Sequence, residues 1–136
     1  MPFVLDASIT LSWSFSDEGH PHAALAEKRL QTDPAVVPSL WWLEIRNALL
    51  MNERRGRLTE AKTAAFLRFL SGLPITLDRA PSEAEVLRLA RTHRLTVYDA
   101  CYLELAQRNG TVLATLDADL IRAAKAEAVP LIGEVS

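Results

Sequence analysis

Four short runs, FVLD at 3–6, AVVPS at 35–39, LPITLD at 73–78 and TVLATLD at 111–117, are apolar at consecutive rather than alternate positions. A strand with that pattern is buried on both faces, which is the condition of a parallel sheet covered by helices on either side. The stretches between the runs are long and amphipathic, as crossover helices must be. The chain is therefore expected to form an α/β fold of three layers, α/β/α, with a central, mostly parallel sheet. VPLIG at 129–133 predicts a last strand.

The helices are expected in ASITLSWSF directly after the first strand, in PHAALAEKRLQT with Pro21 in its first turn, and in LWWLEIRNALLMNERRG. Ser39 is the expected N-cap of that third helix and Gly56 its stop. TEAKTAAFLRFLSG predicts a helix starting after Thr59, and PSEAEVLRLARTH one opened by a capping box of Ser82 and Glu85. TVYDACYLELAQRNG reads as helix as far as Asn109 and Gly110, and ADLIRAAKAEA as the final helix. From Leu40 to about Gly72 no strand intervenes, so a helical hairpin is expected to stand off the sheet. With 136 residues, 49% of them hydrophobic, one core suffices, and a single domain over 1–136 is expected.

Charge excludes little. The formal net charge of −2 does not announce a nucleic acid or an anionic membrane as partner. No run reaches the roughly 18 apolar residues of a membrane span, and the first apolar run is short and contains Asp6, unlike a secretory signal. A lone Cys101 fits a reducing compartment. These features lead to the expectation of a cytoplasmic protein.

Four acids break the apolar pattern: Asp6 in VLDASI, Glu44 in WWLEIRNAL, Asp99 in TVYDACYL and Asp117 in ATLDADL. Asp6 and Asp117 have a bland reading as N-caps, and Asp99 can close a capping box with Thr96. Glu44 resists such a reading, because its helical neighbours Leu40, Trp41, Asn47 and Ala48 include no cation. Asp99 faces Leu95, Thr96, Tyr102 and Leu103 in the same way. Two of the acids stand at the carboxyl ends of expected strands, where open parallel sheets bind ligands.

Four unpaired acids in one site repel. Two carboxylates about 5 Å apart do so by roughly 3 kcal/mol at an effective dielectric near 20. Protons or a bound cation relieve this, and an all-oxygen donor set suits Mg²⁺ or Mn²⁺. Such an ion activates water against a phosphate ester.

The segments FVLDAS, WLEIRNAL, YDACYLELA and LATLDADL resemble, in order and context, the four acidic motifs of PIN-domain nucleases, and most of all those of VapC-type toxins of toxin–antitoxin systems. The likeness runs nearly the length of the chain. It implies an α/β/α fold, a Mg²⁺- or Mn²⁺-dependent ribonuclease activity that hydrolyses RNA phosphodiester bonds, a cognate antitoxin in the active-site groove, and a homodimer. Asp6, Glu44, Asp99 and Asp117 then become the metal-binding catalytic acids. Ser8 and Thr115 match the small hydroxyl positions beside the first and last acids, and Asn47 a polar position one turn after the glutamate. Asp119 stands as a supplement or substitute for Asp117, which is preferred because it directly follows the apolar strand.

Other features carry two readings. Arg54, Arg55 and Arg57 in NERRGR either complement a helix end or grip RNA phosphates. Arg88, Arg91 and Arg94 read as a solvated face, and His93 as a complement to its helix dipole. His20 and His22 read as loop residues in the turn DEGHPH, and Cys101 as core. Of Trp41 and Trp42, one belongs in the core and the other can anchor a partner. Competing functions are a catalytically inactive PIN-like binding module and a Mg-dependent phosphatase. The phosphatase motif needs an acid two residues after Asp6, where Ser8 stands. No P-loop sequence occurs.

Overall fold

The computed structural model describes residues 1–15 and 19–134. Among them it has four strands and seven helices in three α/β/α layers, as the apolar runs require. In chain order these are β1 (Phe3–Leu5), α1 (Ala7–Ser12), α2 (Pro21–Arg29), β2 (Ala35–Pro38), α3 (Leu40–Arg54) and α4 (Glu60–Ser71). There follow β3 (Ile75–Asp78), α5 (Glu83–His93), α6 (Val97–Asn109), β4 (Leu113–Ala114) and α7 (Ala118–Ala126).

The sheet is parallel throughout, in the order β3-β2-β1-β4. From β1 the chain steps outward through β2 to β3, then returns across the sheet to lay β4 on the other side of β1. That reversal creates a crevice beyond the carboxyl ends of β1 and β4, the place where such sheets bind ligands. Asp6 and Asp117 lie at its two lips. β1 and β4 are buried at every position, and α6 packs across β1, β2 and β4. Ile45 and Leu49 face the core from α3, while Tyr102, Leu103 and Leu105 do so from α6.

Local chemistry explains most helix ends. Pro21 takes the first helical position of α2, and the His20 ring nitrogen Nδ1 accepts from the His22 amide. Thr59, Ser82, Thr96 and Asp117 each accept from the backbone amide three residues on. Gly110 (φ 59°) closes α6 in the left-handed region that favours glycine. No helix among the described residues is long and apolar enough to cross a membrane.

The structure departs from the sequence expectations at several ends. Ser39 precedes α3 in helical backbone geometry and makes no side-chain cap. Ser82 caps α5, but the Glu85 side chain turns to Arg88, and the Ser82 amide donates instead to Glu104. α1 stops at Ser12 rather than reaching Phe15, where the Ser12 and Ser14 hydroxyls donate back to carbonyls of the preceding turn. β4 is only two residues long, since Thr115 leaves the ladder to serve Asp6 and Asp117. The expected last strand is a single bridge from Leu131 to Leu113, its pairing limited by Pro130, which lacks an amide proton. The turn proposed over DEGHPH includes residues 17 and 18, which lie outside the described residues; His20 caps α2, and His22 stands inside that helix rather than in a loop.

His93 is buried and does more than complement a helix dipole. Its Nε2 lies 2.6 Å from Glu127 Oε2, tying the end of α5 to the end of α7. Hydrogen bonds from His93, Arg88 and Gln107 pull the Glu127 carboxyl down to about 2, with burial opposing them. Trp41 is core and donates to Thr10 Oγ1, whereas Trp42 is exposed with the Arg46 guanidinium over its ring. Cys101 is half-buried, and burial raises its thiol pKa.

Candidate active site

Four separate chain segments bring the four acids to one open cleft of about 340 Å³. Asp6 follows β1, Glu44 sits in α3, Asp99 in the first turn of α6, and Asp117 precedes α7. Ser8 and Asn47 share the lining, which holds no Lys, Arg or His. Thr115 lies buried beneath it.

Asp6 is buried but does not cap α1. Its Oδ2 accepts from Ser8 Oγ and Thr115 Oγ1, each at 2.7 Å. Ser8 Oγ also accepts from the Leu116 amide, and Thr115 Oγ1 from the Asp117 amide. The two hydroxyls thus latch the end of β1 to the segment after β4. Burial raises the Asp6 pKa, the two hydroxyls oppose that, and the Asp117 charge adds to it.

Glu44 meets a partner that sequence inspection missed. Tyr102 is fully buried, and its hydroxyl donates to Glu44 Oε1 at 2.6 Å across 58 residues of chain. The signal lay in the spacing: Tyr102 is three residues after Asp99 and so shares its face of α6. Desolvation raises the Glu44 pKa, Tyr102 lowers it, and the charges of Asp6 and Asp99 raise it further. Asp99 is pushed up to about 6, first by burial and then by the charges of Asp117, Asp6 and Asp119.

Asp117 both lines the cleft and caps α7, its Oδ1 accepting from the Leu120 amide at 2.9 Å. The bland reading of this residue and the functional one are therefore compatible. Asp119 stands outside the lining, 72% exposed, with Arg122 at 3.6 Å. Arg54 and Arg55 are exposed at the end of α3, about 15 Å along that helix from Glu44. Arg57 is engaged, with its guanidinium over the Phe15 ring and a hydrogen bond to Asn52.

The donor set fits a hard divalent cation. It is all oxygen, and burial, with the charges of neighbouring acids added, raises the pKa of Asp6, Glu44 and Asp99 without a basic side chain in the lining. Among the described residues no group of three or more acids, histidines or cysteines stands close enough together to hold a metal ion as arranged, so the acids share a cleft and not a cage. Like charges resist closer approach, and Mg²⁺ keeps several waters and needs few direct protein ligands.

Comparison with known proteins agrees with this architecture. Residues 3–126 match the PIN domain family. Ribonuclease VapC3 of Pyrobaculum aerophilum is 34% identical over 124 residues, covering 88% of this chain and 92% of that protein. The crystal structure of PAE2754 from Pyrobaculum aerophilum matches with a TM-score of 0.70 at 28% identity, over 90% of this chain and 86% of that one. The Mycobacterium tuberculosis toxin VapC20, described as cleaving the sarcin–ricin loop, matches with a TM-score of 0.59 over 89% of this chain and 94% of its own. At 13% identity that last likeness is one of fold alone.

Proposed function

The chain belongs to the PIN-domain family, and from that membership we propose that it is a metal-dependent endoribonuclease, the toxin of a toxin–antitoxin pair. The observation that carries the reading is the cleft itself: four acids from separate segments, mutually repelling, with no basic side chain in its lining. The phosphatase alternative is disfavoured because Ser8, where that motif needs an acid, is a hydrogen-bond donor to Asp6. A pure binding module has no use for a cluster of acids that destabilises itself.

Asp6, Glu44, Asp99 and Asp117 would hold the cation. When bound, Mg²⁺ or Mn²⁺ supplies a polarised phosphoryl oxygen and an attacking water of lowered pKa. The chain's own residues do the positioning. Ser8 and Thr115 hold Asp6 Oδ2 against rotation, and Asp117 is fixed by its bond to the α7 amide. Asn47 offers the cleft an uncharged amide, able to donate to a phosphate oxygen without adding charge. Asp119 acts through its charge on Asp99.

RNA is the proposed substrate, and an antitoxin protein the proposed restraint. Exposed Trp42, Leu43 and Leu50 on α3, with Val97 and Tyr98 on α6, supply apolar surface for protein partners, a second copy of the chain included. The single free thiol suits the reducing cytoplasm in which such a toxin acts. Incubating the protein with a pool of cellular RNA, with Mg²⁺ or with EDTA, tests the activity. Cleavage with the ion alone is expected, and an intact pool in both arms contradicts the proposal.

Arg54 and Arg55 are proposed to grip the RNA backbone. Replacing both by Ala, in a catalytically dead background, is expected to weaken RNA binding and to lower the slope of log K against log salt by about 0.7 per lost contact. An unchanged slope would return both to the role of helix-end charges.

A further inference from the structure

We propose that Tyr102 is a positioning residue for the divalent cation, acting by holding the Glu44 carboxylate in the cleft; the inference rests on the cation reading above. Glu44 differs from the other acids in how it is held. Asp6 is gripped by two hydroxyls and Asp117 by a helix amide, both through short side chains. Glu44 has one more rotatable bond and projects from the middle of α3. Among the described residues, the Tyr102 hydroxyl at 2.6 Å is its one hydrogen-bond donor.

The donor is rigid. The Tyr102 ring is fully buried in the core, so its hydroxyl is presented at a set position. α6 thereby supplies Asp99 to the cleft directly and, one turn on, the restraint on Glu44. Outer-shell partners of metal-ligating carboxylates orient them, and their removal typically weakens metal binding about 10- to 100-fold. The competing reading is that Glu44 merely satisfies a buried tyrosine hydroxyl. The two readings differ in what Tyr102 does to cation affinity.

The test is Mn²⁺ binding to the full chain without RNA, followed by electron paramagnetic resonance of the free ion. Tyr102→Phe keeps the ring and removes the donor, and is expected to weaken Mn²⁺ about 10-fold or more. In a Glu44→Ala background the same change is expected to have no further effect, because its route to the ion is gone. Glu44→Asp keeps both the charge and the tyrosine but shortens the reach between helix and hydroxyl. It is expected to lose affinity to a similar degree and to be insensitive to Tyr102→Phe.

Parental affinity in Tyr102→Phe would overturn the positioning role, as would equal losses with and without Glu44. If Asp6→Asn and Glu44→Ala still weaken binding in that case, the cation site stands and only the role of Tyr102 fails. If none of the acid variants changes affinity, the site assignment fails and takes the positioning role with it.

Discussion

Asp99→Asn is expected to lower RNA cleavage by about 10²–10³-fold or more while the protein stays folded, a loss of the size seen when one charge-stabilising group leaves an active site. The amide keeps the shape and the local hydrogen bonding of the side chain, so a structural aspartate in the first turn of α6 tolerates the change. An acid that binds a cation does not, because the negative charge is what it contributes. Stability is expected to move the other way. The Asp99 carboxyl sits at about 6 in the fold against an ordinary 3.8. Between those values the folded chain binds more protons than the unfolded one, so metal-free stability falls as pH rises through that window. Asparagine has no such titration. Near neutral pH the metal-free variant should be more stable by about 1 kcal/mol, once solvent screening at this half-exposed position is allowed for. Comparing melting and cleavage of one preparation checks both signs. Wild-type cleavage by folded Asp99→Asn protein would rule out a catalytic role for this acid.

Arg108→Ala is expected to be strongly destabilising although it lies away from the cleft. Glu104 is 2% exposed, and Arg108 Nε donates to its Oε1 at 2.7 Å. The remaining guanidinium nitrogens form a paired bond with Asp78 at 2.7 and 3.2 Å, joining α6 to the end of β3. The Ser82 amide completes the cluster through Glu104. Removing Arg108 leaves a buried carboxylate with one backbone donor, which typically costs about 3–5 kcal/mol. Because Arg108 is itself about a third exposed, the lower end applies, a fall of about 10 °C in Tm for a chain of this length. Adding Glu104→Gln should restore more than half of it. The bond from Arg108 also lowers the Asp78 pKa, so its contribution is complete above the ordinary 3.8 and fades as pH falls below it. A Tm within about 2 °C of the parent would mean that Glu104 is satisfied without Arg108.

The apolar runs declared the sheet because three of them, Phe3–Leu5 among them, have no polar position to show solvent, and only a parallel sheet between helices hides both faces. The four acids were legible for the opposite reason, as charges without nearby partners. The supporting shell was only half visible. Ser8 and Thr115 were named from a resemblance, whereas the structure explains them by two hydroxyls converging on one Asp6 oxygen. Tyr102 was hidden because a tyrosine on an apolar helix reads as core, and its partner is 58 residues away. Glu104 and Arg108 are spaced as an ordinary helical ion pair, so neither its burial nor Asp78 is foreseeable from the spacing. His93 likewise finds Glu127 only because α5 and α7 both pack on α6. Pairings that cross the fold are set by tertiary packing, which local pattern does not record.

Asp6, Glu44, Asp99 and Asp117 together are proposed to hold one functional divalent-cation site. The most direct measurement is thermal melting under Mn²⁺ titration, for the wild type and for the double variant Asp6→Asn, Asp99→Asn. An ion that binds only the folded state at about 100 times its Kd adds about 2.7 kcal/mol, a rise of roughly 8–10 °C in Tm for the wild type. The double variant is predicted to start from a higher metal-free Tm and to show no such rise. Equal rises in both proteins, or none in either, would contradict the account.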